Sequence, residues 1–152
     1  MKEALKEAKK AYDKLEIPVG AVIVKDGKII ARAYNQKETK FDTTKHAEIL
    51  AIQKASKKLK SWRLIDCEMY VTLEPCPMCG WAILQSRIKN IYFGSYDVNY
   101  GAFSSADLLK LSQTKPNIYG GICEEECDKL LKKFCNNSLH LSVSIPFSTS
   151  TL

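Results

Sequence analysis

The chain has 152 residues, of which 45% are hydrophobic and 26% charged, and a formal net charge of +6. That length fits one domain, and a chain of this size buries about 68–70% of its unfolded surface without staples. The composition excludes collagen, low-complexity disorder and a coiled coil, and no apolar run approaches the roughly 20 residues that a membrane helix needs.

Residues 2–15 are predicted as an amphipathic helix with Ala4, Leu5, Ala8, Ala11, Tyr12 and Leu15 on one face, stopped by Glu16-Ile17-Pro18. This charged opening has no signal-peptide core, so a cytoplasmic, reduced chain is expected. Residues 19–24 read as an apolar β-branched strand. Asp26-Gly27 is a hairpin signal, and residues 28–34 are the partner strand. Residues 35–45 are polar and loop-like. Residues 46–60 form a second helix, with Thr43 or Thr44 as its cap. A strand at 68–73 leads to a third helix at 76–86, entered through Pro75 and Pro77.

Residues 91–93 are a fourth strand and 95–103 a loop. A short helix is predicted at 104–111, capped by Ser104 or Ser105. Asn117–Tyr119 makes at most a brief strand. The last helix covers 122–135, opened by three glutamates and closed by Lys132-Lys133, as the helix dipole favours. Residues 136–152 are expected to form a poorly ordered tail, although the alternation at 139–145 also fits a strand added to a sheet edge. The element order implies an α/β three-layer sandwich: a central mixed sheet of about five strands with helices on both faces.

Charge is polarised along the chain. Residues 1–65 hold 16 basic and 8 acidic side chains, and residues 66–152 hold 7 and 9. Lys54, Lys57, Lys58, Lys60 and Arg63 fall in an acid-free stretch that attracts phosphates, or is simply a solvated helix face. Of the six cysteines, Cys67, Cys123, Cys127 and Cys135 lie in apolar patterns and read as small core residues.

Cys76 and Cys79 differ: they stand in Pro-Cys-Pro-Met-Cys at a helix start, where the helix terminus and a metal would both favour thiolates. His46 supplies a third ligand, leaving a fourth tetrahedral position for water, the pattern of a catalytic zinc centre. Zinc with two thiolates and a neutral imidazole sums to zero charge. Such a centre acidifies its water weakly, so a nearby base is needed, and Glu48 is the candidate. His46 and Glu48 point about 200° apart on a regular helix. They converge only if His46 lies at the helix start. Three other readings stand beside this one: His46 as an ordinary polar residue, Cys76–Cys79 as a thioredoxin-like redox pair, and a structural zinc site that would need a fourth ligand, with His140 the one other histidine.

His-x-Glu followed by Pro-Cys-x-x-Cys is the signature of zinc nucleobase deaminases. Beyond it, residues 16–24 (EIPVGAVIV), Asn35, 46–52 (HAEILAI), 62–66 (WRLID), 70–78 (YVTLEPCPM), 86–88 (SRI) and Phe93-Gly94 resemble the bacterial-type tRNA-specific adenosine deaminases, within the cytidine/deoxycytidylate deaminase superfamily. The likeness covers about residues 1–135. It implies a cytidine deaminase-like fold and hydrolysis of the wobble adenosine of a tRNA anticodon loop to inosine. It also implies one Zn2+ per subunit on His46, Cys76 and Cys79, with Glu48 as proton shuttle. In that family's image Asn35 and the Ala47 N–H hold the purine, Ile17 and Val19 wall it, and Asp97 contacts the RNA strand. A homodimer acting on a tRNA anticodon stem-loop is implied too.

Three departures stand out. The family's Asp-x-Lys-x-Gly loop is here Asp97-Val98-Asn99-Tyr100-Gly101, one cation fewer. The fifth strand is short, and Phe134-Cys135-Asn136-Asn137 replaces the usual aromatic and arginine end. The competing hypotheses are a zinc deaminase of a free base or nucleotide, guanine or cytosine type, and a non-catalytic zinc-bearing RNA-binding subunit.

Overall fold

The computed structural model describes residues 1–140. Helix α1 (Lys2–Asp13) buries Ala4, Ala8 and Ala11 completely. This stripe of small side chains lets the helix lie close on strand β1 (Gly20–Lys25). Gly20 completes the fit: a Cβ there would run into the Ala4 carbonyl oxygen and the Ala8 amide. The helix ends earlier than its apolar stripe suggests. Leu15 is left-handed (φ 60°), and the Glu16 N–H bonds the Ala11 carbonyl, the pattern of a Schellman end. Leu15 therefore leaves the buried face and is exposed.

The hairpin to β2 (Lys28–Tyr34) forms as read, with Asp26 and Gly27 both at positive φ, as a type I′ turn demands. Helix α2 (Ala47–Leu59), strand β3 (Cys67–Leu73), helix α3 (Pro77–Gln85), strand β4 (Asn90–Ser95), strand β5 (Asn117–Tyr119) and helix α4 (Glu124–His140) follow. The sheet order is β2-β1-β3-β4-β5; the two pairings of β1 are antiparallel and those of β4 parallel. Helices α1 and α4 share one face, and α2 and α3 the other. The predicted mixed-sheet sandwich is the observed architecture. Its centre is Ile23, Met69, Val71, Ile83 and Ile91, all fully buried.

Four local expectations are corrected. The 104–111 helix is replaced by turns and a single 3-10 turn at Leu108–Lys110. The serines read as its caps bond elsewhere: Ser104 to Glu74, and Ser105 to the Asp97 and Val98 carbonyls. Thr43 and Thr44 do not cap α2, because Asp42 captures Thr44 through both its N–H and its hydroxyl. The last helix starts after a left-handed Cys123 and runs past 135 to His140, where the Asn137 amide donates to the Tyr12 hydroxyl at 2.6 Å. No proline interrupts it before Pro146, and weak helix formers such as Asn are tolerated when packing holds them. Residues 141–152 of the expected tail lie outside the described residues. Among the cysteines, all free, Cys67 and Cys127 are buried as expected, whereas Cys123 is half-buried and Cys135 exposed. Cys135 falls beside, not on, the packed stripe of α4. No described helix is long and apolar enough to cross a membrane.

Candidate active site

Two helix starts meet at the C-terminal end of the central strands, the end at which open α/β sheets hold ligands. His46 is the extended N-cap of α2 (φ −72°, ψ 151°), and Cys76 the extended N-cap of α3 (φ −70°, ψ 168°). Because His46 precedes the helix proper, its ring escapes the i, i+2 divergence and points to the cysteines while Glu48 enters from the first turn. Pro77 fixes the first helical position of α3, and Cys79 lies in the same turn, so both sulfurs face one point.

His46 Nδ1 is 3.7 Å from Cys76 Sγ and 3.4 Å from Cys79 Sγ, and the three ligand atoms lie within 4.8 Å of one another. Zn–S and Zn–N bonds at tetrahedral angles require an N···S edge of about 3.6 Å. The donor set and its spacing therefore fit a tetrahedral zinc with one position open.

The electrostatics prepare one thiolate of the two. The hydrogen bond from the Cys79 thiol, with help from His46, holds the Cys76 thiol down to about 4; the same bond, and burial, push Cys79 up. His46 is raised by its bond to Cys76, and Lys37 opposes that rise from the preceding loop. Burial pushes the Glu48 carboxyl up to about 7, against the pull of His46. Glu48 adds to the rise at Cys79. A carboxyl of this kind can take a proton and release it again near neutrality.

The other predicted site residues divide into groups. Asn35 is buried at the end of β2, its N–H on the Val19 carbonyl and its amide 3.5 Å from Glu16 Oε2. Val19 belongs to the core, while Ile17 is 41% exposed and so offers a face. Ala47 opens α2, where a backbone N–H has no partner within the helix. Asp97 is engaged with its own loop, accepting the Asn99 and Tyr100 N–H groups at 3.1 and 2.9 Å.

Sequence reasoning missed Glu16 and Glu74. Both are buried, and each carboxylate gathers donors from a loop beside the cluster. Their signal was a lone acid inside an apolar run, in Leu-Glu-Ile-Pro and Leu-Glu-Pro-Cys. A cavity of about 620 Å³ lies away from this chemistry, before the N-terminal ends of β3, β4 and β5, lined by Arg63, Arg87, Lys89 and Lys115 among others.

Residues 1–131 match the MafB19-like deaminase family. The chain is 47% identical over 139 residues to the tRNA-specific adenosine deaminase of Bacillus subtilis (strain 168), a match spanning 88% of this chain and 85% of that one. The chain belongs to the tRNA-specific adenosine deaminase family. A solved structure from a study of A-to-I editing by tRNA:A34 deaminases at the wobble position of transfer RNA superposes with a TM-score of 0.84. It is 40% identical, covering 86% of this chain and 97% of that one. A guanine deaminase from Bacillus subtilis stands further off, at 36% identity and a TM-score of 0.62, covering 76% and 74%. Within the family, the stretches Glu16–Val24 and Tyr70–Met78 that carried the resemblance are those that frame the cluster: one leads from α1 into β1, the other from β3 into α3.

Proposed function

We propose that this protein hydrolyses adenosine to inosine at the wobble position of a tRNA anticodon loop. The observation that carries the reading is the open three-ligand cluster of His46, Cys76 and Cys79 with the buried Glu48 against it. The named relatives support the choice of substrate. His46, Cys76 and Cys79 hold zinc, one ion per subunit. Bound there, zinc supplies a Lewis acid that makes water nucleophilic at neutral pH.

The rest is done by the chain. Glu48 accepts a proton from the attacking water as the C6–O bond forms, and passes it to the purine ring nitrogen. It then takes the remaining hydroxyl proton and gives it to the amine as the C6–N bond breaks, so water enters, ammonia leaves and Glu48 is restored. One carboxylate serves both transfers because they are sequential. Asn35 and the Ala47 N–H orient the purine, Ile17 and Val19 exclude water from one of its faces, and Asp97 belongs to the loop that meets the strand. An anticodon-loop base is already unpaired, so turning it out costs little. The protein acts in the cytoplasm as a homodimer that binds RNA.

The test is incubation of zinc-loaded protein with an anticodon stem-loop RNA and, separately, with free adenine, guanine and cytosine, scoring inosine and ammonia. Turnover of the stem-loop alone is expected. Turnover of a free base with none of the RNA would replace this reading by the free-base deaminase.

A further inference from the structure

Two loops border the cluster, and each is wrapped on one buried acid. Residues 36–45 run directly into His46. Their backbone is organised by Glu16, fully buried, which accepts the Glu38 N–H at 3.1 Å, the Thr39 N–H at 2.7 Å and the Thr39 hydroxyl at 2.8 Å. Residues 96–105 are tied to the turn before Cys76 by the Ala102 N–H on the Pro75 carbonyl at 2.8 Å. Glu74, 2% exposed, fills their centre: it accepts the Asp97, Phe103 and Ser104 N–H groups at 3.2, 3.1 and 2.8 Å and the Ser104 hydroxyl at 2.7 Å. These partners are all donors, as an acceptor-only carboxylate requires. A buried acid so fully satisfied fixes a backbone, because releasing it orphans several donors at once.

What the two loops hold out is apolar: Phe41 on one, and Tyr96, Val98 and Tyr100 on the other. Phe41 is 98% exposed and left-handed (φ 51°), and Tyr100 is 70% exposed. Burial explains neither. Lys37 and Lys40 flank Phe41 and form no ion pair among the described residues, outnumbering Glu38, the loop's one acid without an ion pair. An exposed ring on a fixed loop that also carries unpaired lysines is what single-stranded nucleic acid binds: bases stack on the ring while phosphates meet the charge.

We propose that Phe41 and Tyr100 are base-stacking contacts for nucleotides neighbouring the reacting adenosine, and that Glu16 and Glu74 are the positioning residues that hold them. This rests on the RNA substrate of the proposed function and adds the residues that grip the strand around the target base. Both rings sit on loops joined to the turns that carry His46 and Cys76, so they stand beside the cluster where the neighbouring nucleotides must pass.

The test uses the full zinc-loaded chain and an anticodon stem-loop, with kcat, KM and zinc content measured. Phe41→Leu and Tyr100→Leu each raise KM about 5- to 100-fold, the range of one base stack removed. They leave kcat within about twofold and the zinc unchanged. Phe41→Tyr and Tyr100→Phe restore KM, which a loss of bulk or stability would not do. Glu74→Gln raises KM without lowering zinc, and combining it with Tyr100→Leu adds little, since both act through one ring. Should Glu74→Gln not fold, Ser104→Ala, which removes one exposed donor, replaces it in that pairing. Leu variants with wild-type KM on an otherwise active protein would overturn the stacking proposal alone. Full additivity of Glu74→Gln with Tyr100→Leu would overturn the positioning role. A wild type inactive on the stem-loop would overturn the proposed function and this inference with it.

Discussion

Glu48 combines three properties seldom found on one carboxylate: burial, a first-turn position in α2, and a place against a cysteine of the cluster. Gln at this position keeps the volume and the hydrogen bonds but cannot ferry a proton. Glu48→Gln is therefore expected to retain zinc and its melting transition while losing at least 10²–10⁴-fold in turnover of the stem-loop. Metal analysis alongside single-turnover assays checks this; a variant within about tenfold of wild type would place the base elsewhere. The grouping of His46, Cys76 and Cys79 was legible in the sequence because its members come from two local motifs, His-x-Glu and Cys-x-x-Cys, each at a helix start. Glu16 and Glu74 were not, because their partners are 22 to 30 residues away.

Elements whose geometry is set by two or three neighbouring residues were equally readable. The Asp26-Gly27 turn needs two positive φ angles, and that sequence supplies them. The predicted helix at 104–111 failed for the opposite reason. Ser104 and Ser105 look like caps, whose hydroxyl oxygens would accept N–H groups of a first turn, but both hydroxyls are turned to donate instead, to the Glu74 carboxylate and to the Asp97 and Val98 carbonyls. The packing of α1 on β1 depends on one residue, since Gly20 leaves no room for a methyl group. Gly20→Ala is expected to push α1 off the sheet at a cost of about 1–3 kcal/mol. Thermal melting then falls by about 3–10 °C. An unchanged melting temperature would mean that the helix shifts freely.

For the molecule as a whole, one group of cations lies far from the chemistry. His46 opens α2, and Lys57, Lys58 and Lys60 crowd its far end, about 20 Å along the axis. The basic cavity with Arg63, Arg87, Lys89 and Lys115 lies in the same direction, before the strands begin. A substrate that enters at His46 and also meets these cations must span that distance. Replacing Lys57, Lys58 and Lys60 with Gln should flatten the plot of log affinity for full-length tRNA against log salt, by about 0.7–0.9 for each phosphate no longer neutralised. Binding isotherms at several salt concentrations check it; an unaltered slope would return the lysines to the role of a solvated face.

Both helices that build the cluster begin without a side-chain cap: His46 and Cys76 stand at those positions, and their ligand atoms gather with that of Cys79 instead of bonding the free N–H groups of the first turn. Ser, Thr, Asp or Asn there would contribute about 0.5–2 kcal/mol of stability each. Activity and thermostability are thus in direct competition at two single positions, and selection for a sturdier chain would erode the catalyst first. Cys76→Ser puts this to a measurement. Stripped of metal, the variant should melt about 2–4 °C above the equally stripped wild type. In the presence of zinc the order should reverse, because only the wild type gains stability from the ion it holds.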